Sequence, residues 1–192
     1  CHDIDFYNMI VGSRVKRVAS FGGRSSFIPE NKPEKNLEEF TKYNLNGWEA
    51  KESVFDSDAD IVDHQVAIIE YENGATLAFH TNMKVPDEFR RFAIIGTKGM
   101  AEGDFVRGYL TAHNSYTGEK IFDENFGAAF QQNTKGHYGA DQLMVKDINN
   151  YLLDESNHSL PVGVVDCMEA GLVAMKIDES RVKNQIIDLR DM

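Results

Sequence analysis

The stretch "VDHQVAIIEYENGATLAFHTNM", residues 62–83, constrains the fold more than any other part of this chain. It holds two strand-like apolar runs joined through Asn73-Gly74, a dipeptide whose residues both tolerate positive φ in a type I′ turn, so it predicts an antiparallel hairpin. The pattern continues through "RRFAIIGTKGMAEGDFVRGYLTAHN" and "EKIFD", with breaks at Lys98-Gly99, at Gly103-Asp104 and around Ser115 to Gly118. Connections this short join about six or seven strands as antiparallel neighbours, because parallel strands need long crossovers.

The ends of the chain read differently. Ile4, Tyr7, Ile10 and Val11 recur at helical spacing, and Gly12 is placed to end the helix in a left-handed turn. "VKRVASF" (15–21) follows as a strand that Gly22 and Gly23 are expected to stop. In the last third, Leu143, Met144, Ile148, Tyr151 and Leu152 share one helical side. Val165, Met168, Leu172, Met175 and Ile177 share another, with the methionines expected as core filler, and "QIIDL" closes as a strand. Residues 24–60, with Pro29 and Pro33, form a long surface excursion in which "NLEEFTKY" has helical character. Phe40, Tyr43 and Trp48 are expected to anchor it locally.

Strands and helices are thus segregated, which defines the α+β class: a largely antiparallel, open-faced sheet with helices packed on one face, in a single domain spanning 1–192. The apolar residues of "AIIEY" and "ATLAF" supply both faces of such a sheet, so another chain is the expected cover for the open one.

Composition narrows the partners. Of 192 residues, 20 are Lys or Arg and 31 are Asp or Glu, a formal net charge of -11 that leaves no basic footprint for nucleic acid or an anionic bilayer. No apolar run approaches the roughly 18 residues that span a membrane, and no secretory pattern opens the chain, so a cytoplasmic location is expected. Cys1 and Cys167 lie too far apart in sequence for a disulfide framework or a four-thiolate zinc site. With no initiator Met and a helical pattern under way by Ile4, the chain is expected to be part of a larger protein.

Glycine-rich nucleotide loops, nucleophile elbows and His-Glu zinc motifs are all missing from the sequence. Two polar clusters remain. In "CHDID", His2 and Asp5 share a helical face; the helix dipole disfavours imidazolium and the carboxylates of Asp3 and Asp5 favour it, which suits a general acid/base near neutrality. The same residues also read as a dipole-compensated helix start with a solvated histidine. In "GHYGAD", glycines bracket His137 and Tyr138 just before a helix, a pattern fit for orienting hydroxyl groups or simply for entering the helix with Asp141 as a cap. His64, His80, His113 and His158 lack partners at metal-binding spacing, so no metal site is expected. Arg90, Arg91 and Arg107 read either as contacts for an acidic substrate or as solvated surface charge.

Four stretches in order, "CHDIDFYNMIVGS", "VDHQVAIIEYENGATLAF", "FAIIGTKGMAEGDF" and "GHYGADQLMVKDINNYL…LPVGVVDCMEAGLVAMKIDESR", resemble the C-terminal domain of the Gfo/Idh/MocA oxidoreductases, whose fold is of the glyceraldehyde-3-phosphate-dehydrogenase C-terminal type. The resemblance implies a two-domain enzyme with an N-terminal Rossmann domain, outside this chain, that binds NAD or NADP. The domain here would supply the substrate wall and the homodimer or tetramer interface. It implies that His2 exchanges the proton of a sugar, polyol or cyclic alcohol during hydride transfer, with Asp5, His137 and Tyr138 near the substrate. The fragment alone would be inactive. The alternative is a non-catalytic carbohydrate-binding or scaffolding module.

Overall fold

A computed structural model describes residues 1–34, 53–127, 137–154 and 159–190, together with the backbone alone of Tyr138. The expected anchors Phe40, Tyr43 and Trp48, and His158, lie outside the described residues. The chain forms two compact units, residues 1–84 with 162–192, and residues 85–161.

In the first unit α1 (His2–Val11) leads through Gly12, at φ 61°, into β1 (Val15–Gly23). The hairpin of β2 (His64–Tyr71) and β3 (Thr76–Asn82), the helix α3 (Val164–Lys183) and the short β8 (Ile187–Asp188) complete it. The sheet has the order β3-β2-β1-β8 and is antiparallel throughout. Alternation along β2 decides its faces: Ala67, Ile69 and Tyr71 are buried, whereas Val66 and Ile68 are exposed. Ile4 of α1 and Ala170, Val173 and Ile177 of α3 cover the inner face, joining Val18 and the inward residues of β2 in one core. Each of the Ile and Val side chains contributes about 1.5–3 kcal/mol by leaving water.

Three local expectations are corrected here. Only Gly74 of the Asn73-Gly74 pair adopts positive φ, at 86°. Its N–H donates to the Tyr71 carbonyl at 3.0 Å and Tyr71 N–H donates to Ala75 at 2.9 Å, so the hairpin closes through a three-residue loop with a bulge, not a type I′ turn. The strand β1 runs two residues past Phe21, with Gly22 and Gly23 as its last two residues, paired with Gln65 and His64. A Cβ on Gly22 would stand 2.5 Å from the His64 carbonyl oxygen, so glycine there permits close approach of two strands. Lastly, α3 turns Ala170, Val173, Ile177 and Ser180 inward and leaves Val165, Met168 and Met175 exposed. Small and β-branched residues let the helix lie close to the sheet, and the longer methionines fall on the outer side.

The second unit holds β4 (Arg91–Ile95), β5 (Gly99–Asp104), β6 (Tyr109–Asn114) and β7 (Lys120–Asn125) in an antiparallel meander, then α2 (Ala140–Leu153). The α+β class holds, with the strands divided between two four-stranded antiparallel sheets. Asp104, buried at the β5–β6 turn, accepts hydrogen bonds from the backbone N–H groups of Arg90, Val106 and Arg107. Leu143, Met144, Ile148 and Leu152, which share one side of α2, are exposed, and no residue of the helix is buried.

Candidate active site

The residue with the strongest chemical expectation, His2, occupies the first turn of α1. Cys1 begins that helix without a side-chain cap, and the backbone N–H of Asp5 donates to the Cys1 carbonyl at 2.9 Å. His2 is exposed, while Asp3 and Asp5 are half-buried within the same turn. Ile4, between them, is buried in the core. A helix turns by about 100° per residue, so anchoring Ile4 points His2, two positions earlier, away from the core. The first turn therefore presents an imidazole to solvent from a fixed backbone, with acidic groups at the positive end of the helix dipole.

His137 belongs to the second unit. It opens a 3₁₀ turn (His137–Gly139) ahead of α2, adopts the left-handed φ of 50°, and places Nδ1 2.8 Å from Asp141 Oδ1. Asp141 thus pairs with His137 across one helical turn and does not cap α2: Gly139 occupies the cap position and makes no side-chain bond. Left-handed backbone at a non-glycine residue is a held conformation, and His137 combines it with an exposed ring.

A buried acid that sequence reasoning passed over organises the start of the surface excursion. Asp63, 2% exposed, accepts from the backbone N–H groups of Ser25, Ser26 and Phe27 through Oδ2 and pairs with His64 Nδ1 through Oδ1. Burial raises its pKa, but the hydrogen bonds to His64, Phe27, Ser26 and Ser25 outweigh burial and hold the carboxyl well below the ordinary range. Arg24 completes the knot, donating to the carbonyls of Phe27, Val54, Ser57 and Ala59. The signal was faint, since Asp63 follows the acidic run "DSDAD" and its backbone partners at Ser25 to Phe27 lie 36–38 residues away.

Among the described residues no group of three or more His, Cys, Asp and Glu side chains could hold a metal ion. Cys1 and Cys167 are both exposed free thiols. Arg107 pairs with Asp104 and Asp87, and Arg91 with Asp104, so these two arginines are tied to acids of their own unit. No described helix is long and apolar enough to cross a membrane.

The first unit is thus an antiparallel sheet covered on one face by α1 and α3, with the exposed imidazole of His2 on the first turn of α1. Residues 1–102 match the GFO/IDH/MocA C-terminal domain, and the chain belongs to that family. A Bacillus subtilis (strain 168) protein named "Putative oxidoreductase YteT" is 29% identical over 100 residues, 50% of this chain and 23% of that protein. In structure the chain is similar to a levoglucosan dehydrogenase in complex with NADH and levoglucosan, with a TM-score of 0.69 and 16% identity over 100% of this chain and 49% of the other. It is also similar to UDP-N-acetylglucosamine 3-dehydrogenase GnnA from Acidithiobacillus ferrooxidans, with a TM-score of 0.62 and 14% identity over 94% and 44% of the two chains. A super-repressor mutant of Gal80p from Saccharomyces cerevisiae matches with a TM-score of 0.67 and 13% identity over 97% and 47%. The chain spans less than half the length of these three solved chains.

Proposed function

We propose that this chain is the substrate-binding and oligomerisation domain of an NAD- or NADP-dependent oxidoreductase acting on a sugar, polyol or related cyclic alcohol. The observation that carries the reading is the placement of His2, exposed on the first turn of a helix whose next inward residue, Ile4, is buried in the core. An imidazole fixed in this way accepts the proton of a substrate hydroxyl, or returns it in the opposite direction; a nicotinamide held elsewhere in the protein would supply the hydride acceptor or donor. Asp5, half-buried in the same turn, supplies a hydrogen bond to a further hydroxyl. Family membership and two dehydrogenase neighbours support the substrate class.

The residues described do not fit the dinucleotide itself. Pyrophosphate binding needs a strand, a glycine-rich turn and a helix N-terminus in one parallel unit, and both described sheets are antiparallel. What this chain supplies to the reaction is the proton acceptor for the substrate hydroxyl, His2. Full-length protein incubated with NAD or NADP and a panel of levoglucosan, glucose, myo-inositol and UDP-N-acetylglucosamine should generate reduced nicotinamide. His2→Ala should lower kcat by about 10²–10⁴-fold; wild-type turnover in that variant would refute the assignment.

A second reading is a non-catalytic carbohydrate-binding or scaffolding module, favoured by the similarity to a Gal80p super-repressor mutant. It predicts saturable sugar binding by the full-length protein without any turnover on that panel.

A further inference from the structure

The helix that carries His2 has little to hold it by packing alone. Ile4 is its one buried residue, Met9 and Ile10 are exposed, and its N-cap makes no side-chain bond. A ten-residue helix is marginal in water by itself, and an apolar contact, being non-directional, sets neither the slide of a helix along its axis nor its roll.

The end of β2 supplies directional bonds to it. Tyr71, fully buried, donates its hydroxyl to Asn8 Oδ1 at 3.1 Å. Two residues on, Asn73 donates from Nδ2 to the Val11 carbonyl at 3.3 Å and from its backbone N–H to Ser13 Oγ at 3.2 Å. Ile4, Asn8 and Val11 form one stripe of α1 at spacings of four and three, so these bonds hold the stripe that faces the core. His2 lies about 200° around the helix from Ile4 and about 9 Å along the axis from Asn8. Fixing the stripe therefore fixes the direction of the imidazole.

We infer that Tyr71 and Asn73 are positioning residues that aim His2 at the reacting hydroxyl, a role resting on the reading of His2 as proton acceptor. The hairpin end that sequence reasoning treats only as a turn is the seat of the helix bearing the candidate base. Burial, with Tyr7 and Glu169 nearby, pushes the Tyr71 hydroxyl up to about 12, so it remains a donor across neutral pH.

The test compares Tyr71→Phe and Asn73→Asp in the full-length protein. Asp at 73 keeps a side-chain oxygen for the Ala75 N–H, 3.0 Å from Asn73 Oδ1, and removes only the donor to Val11. Should Tyr71→Phe fail to fold, Asn73→Asp, on an exposed turn, decides the matter. Amide hydrogen exchange in α1 should accelerate by about tenfold in each variant while β1 and β2 keep their protection. For a substrate whose turnover needs His2, kcat should fall about tenfold with KM for the nicotinamide cofactor unchanged, a split that general loosening would not give. Unchanged exchange in both variants overturns the inference, as does lost protection with kcat intact for a substrate that His2→Ala no longer turns over. Wild-type turnover in His2→Ala counts instead against the reading of His2, and the exchange result still stands or falls separately.

Discussion

Asp63 Oδ1 lies 2.8 Å from His64 Nδ1, at the point where the surface excursion returns to the sheet. The same carboxylate holds three consecutive backbone N–H groups at Ser25 to Phe27, so one buried charge ties the loop's departure to its return. Asp63→Asn leaves some of these buried donors without a full partner and should cost about 2–3 kcal/mol at neutral pH. The pH dependence follows from the sign of the shift. Asp63 titrates below its ordinary value of 3.8 in the folded protein, so its stabilisation is complete above that value and is lost as pH falls through it toward the folded pKa. Urea denaturation of both proteins from pH 7 to pH 2 should show the difference shrinking below about pH 4. A constant difference across that range would contradict the account.

Gly22→Ala is expected to be far more damaging than an exchange of small residues suggests. The new Cβ would stand 2.5 Å from the His64 carbonyl oxygen and 2.9 Å from Gln65 Cα, both backbone atoms that cannot swing aside. The β1–β2 ladder must separate locally, at a cost of about 2–4 kcal/mol. Gly12→Ala differs in mechanism: a Cβ there meets nothing within 4 Å, and its cost of about 1 kcal/mol comes only from the left-handed φ of 61°. Thermal melting of the two variants should rank them in that order.

These contrasts show where the sequence was legible. That the apolar residues of "AIIEY" serve both faces of the sheet was legible, and the structure turns Ala67, Ile69 and Tyr71 inward and Val66 and Ile68 outward, because a strand offers only two directions. The helical ends, and Gly12 as the stop of α1, were equally plain. Long-range facts were not. Nothing local marks Gly22 as a contact for a strand 43 residues later, or Asp63 as the acceptor for Ser25, and apolar spacing cannot say which side of α3 the sheet receives. His2 itself was ambiguous as physics, a capped helix end or a base. Its exposure on a helix anchored by Ile4 fits the second role without removing the first.

The outer face of the first sheet carries Phe21, Val66 and Ile68, 66%, 50% and 56% exposed, in adjoining rows set by the pairs Phe21↔Val66 and Ala19↔Ile68. Beyond them Glu70 is bonded to Lys16 and Arg17, which hold its carboxyl below the ordinary range and make that end of the face polar. We propose this surface as the homo-oligomer interface. Ile68→Glu should move the mass in light scattering from dimer or tetramer toward monomer. It should barely change monomer stability, because the side chain already meets water in a single copy. A wild-type protein that stays monomeric over a wide concentration range would exclude the interface.

His137 offers a test in which stability and binding move in opposite directions. Its backbone sits at φ 50°, a conformation that costs a β-carbon residue about 1 kcal/mol and glycine almost nothing. Its ring is exposed and pairs with Asp141 at the surface, an interaction worth under about 1 kcal/mol. His137→Gly should therefore leave melting unchanged or raise it slightly, and His137→Ala, which keeps the strain and loses the pair, should lower it. If the ring serves as a substrate contact, both replacements raise KM for the sugar or polyol by a similar factor, about tenfold for one lost hydrogen bond, while kcat stays within a few-fold. His2→Ala has the opposite signature, with kcat collapsing and KM moving little. Equal KM values in wild type and both His137 variants would restrict His137 to shaping the entry to α2, with the ring taking no part in binding.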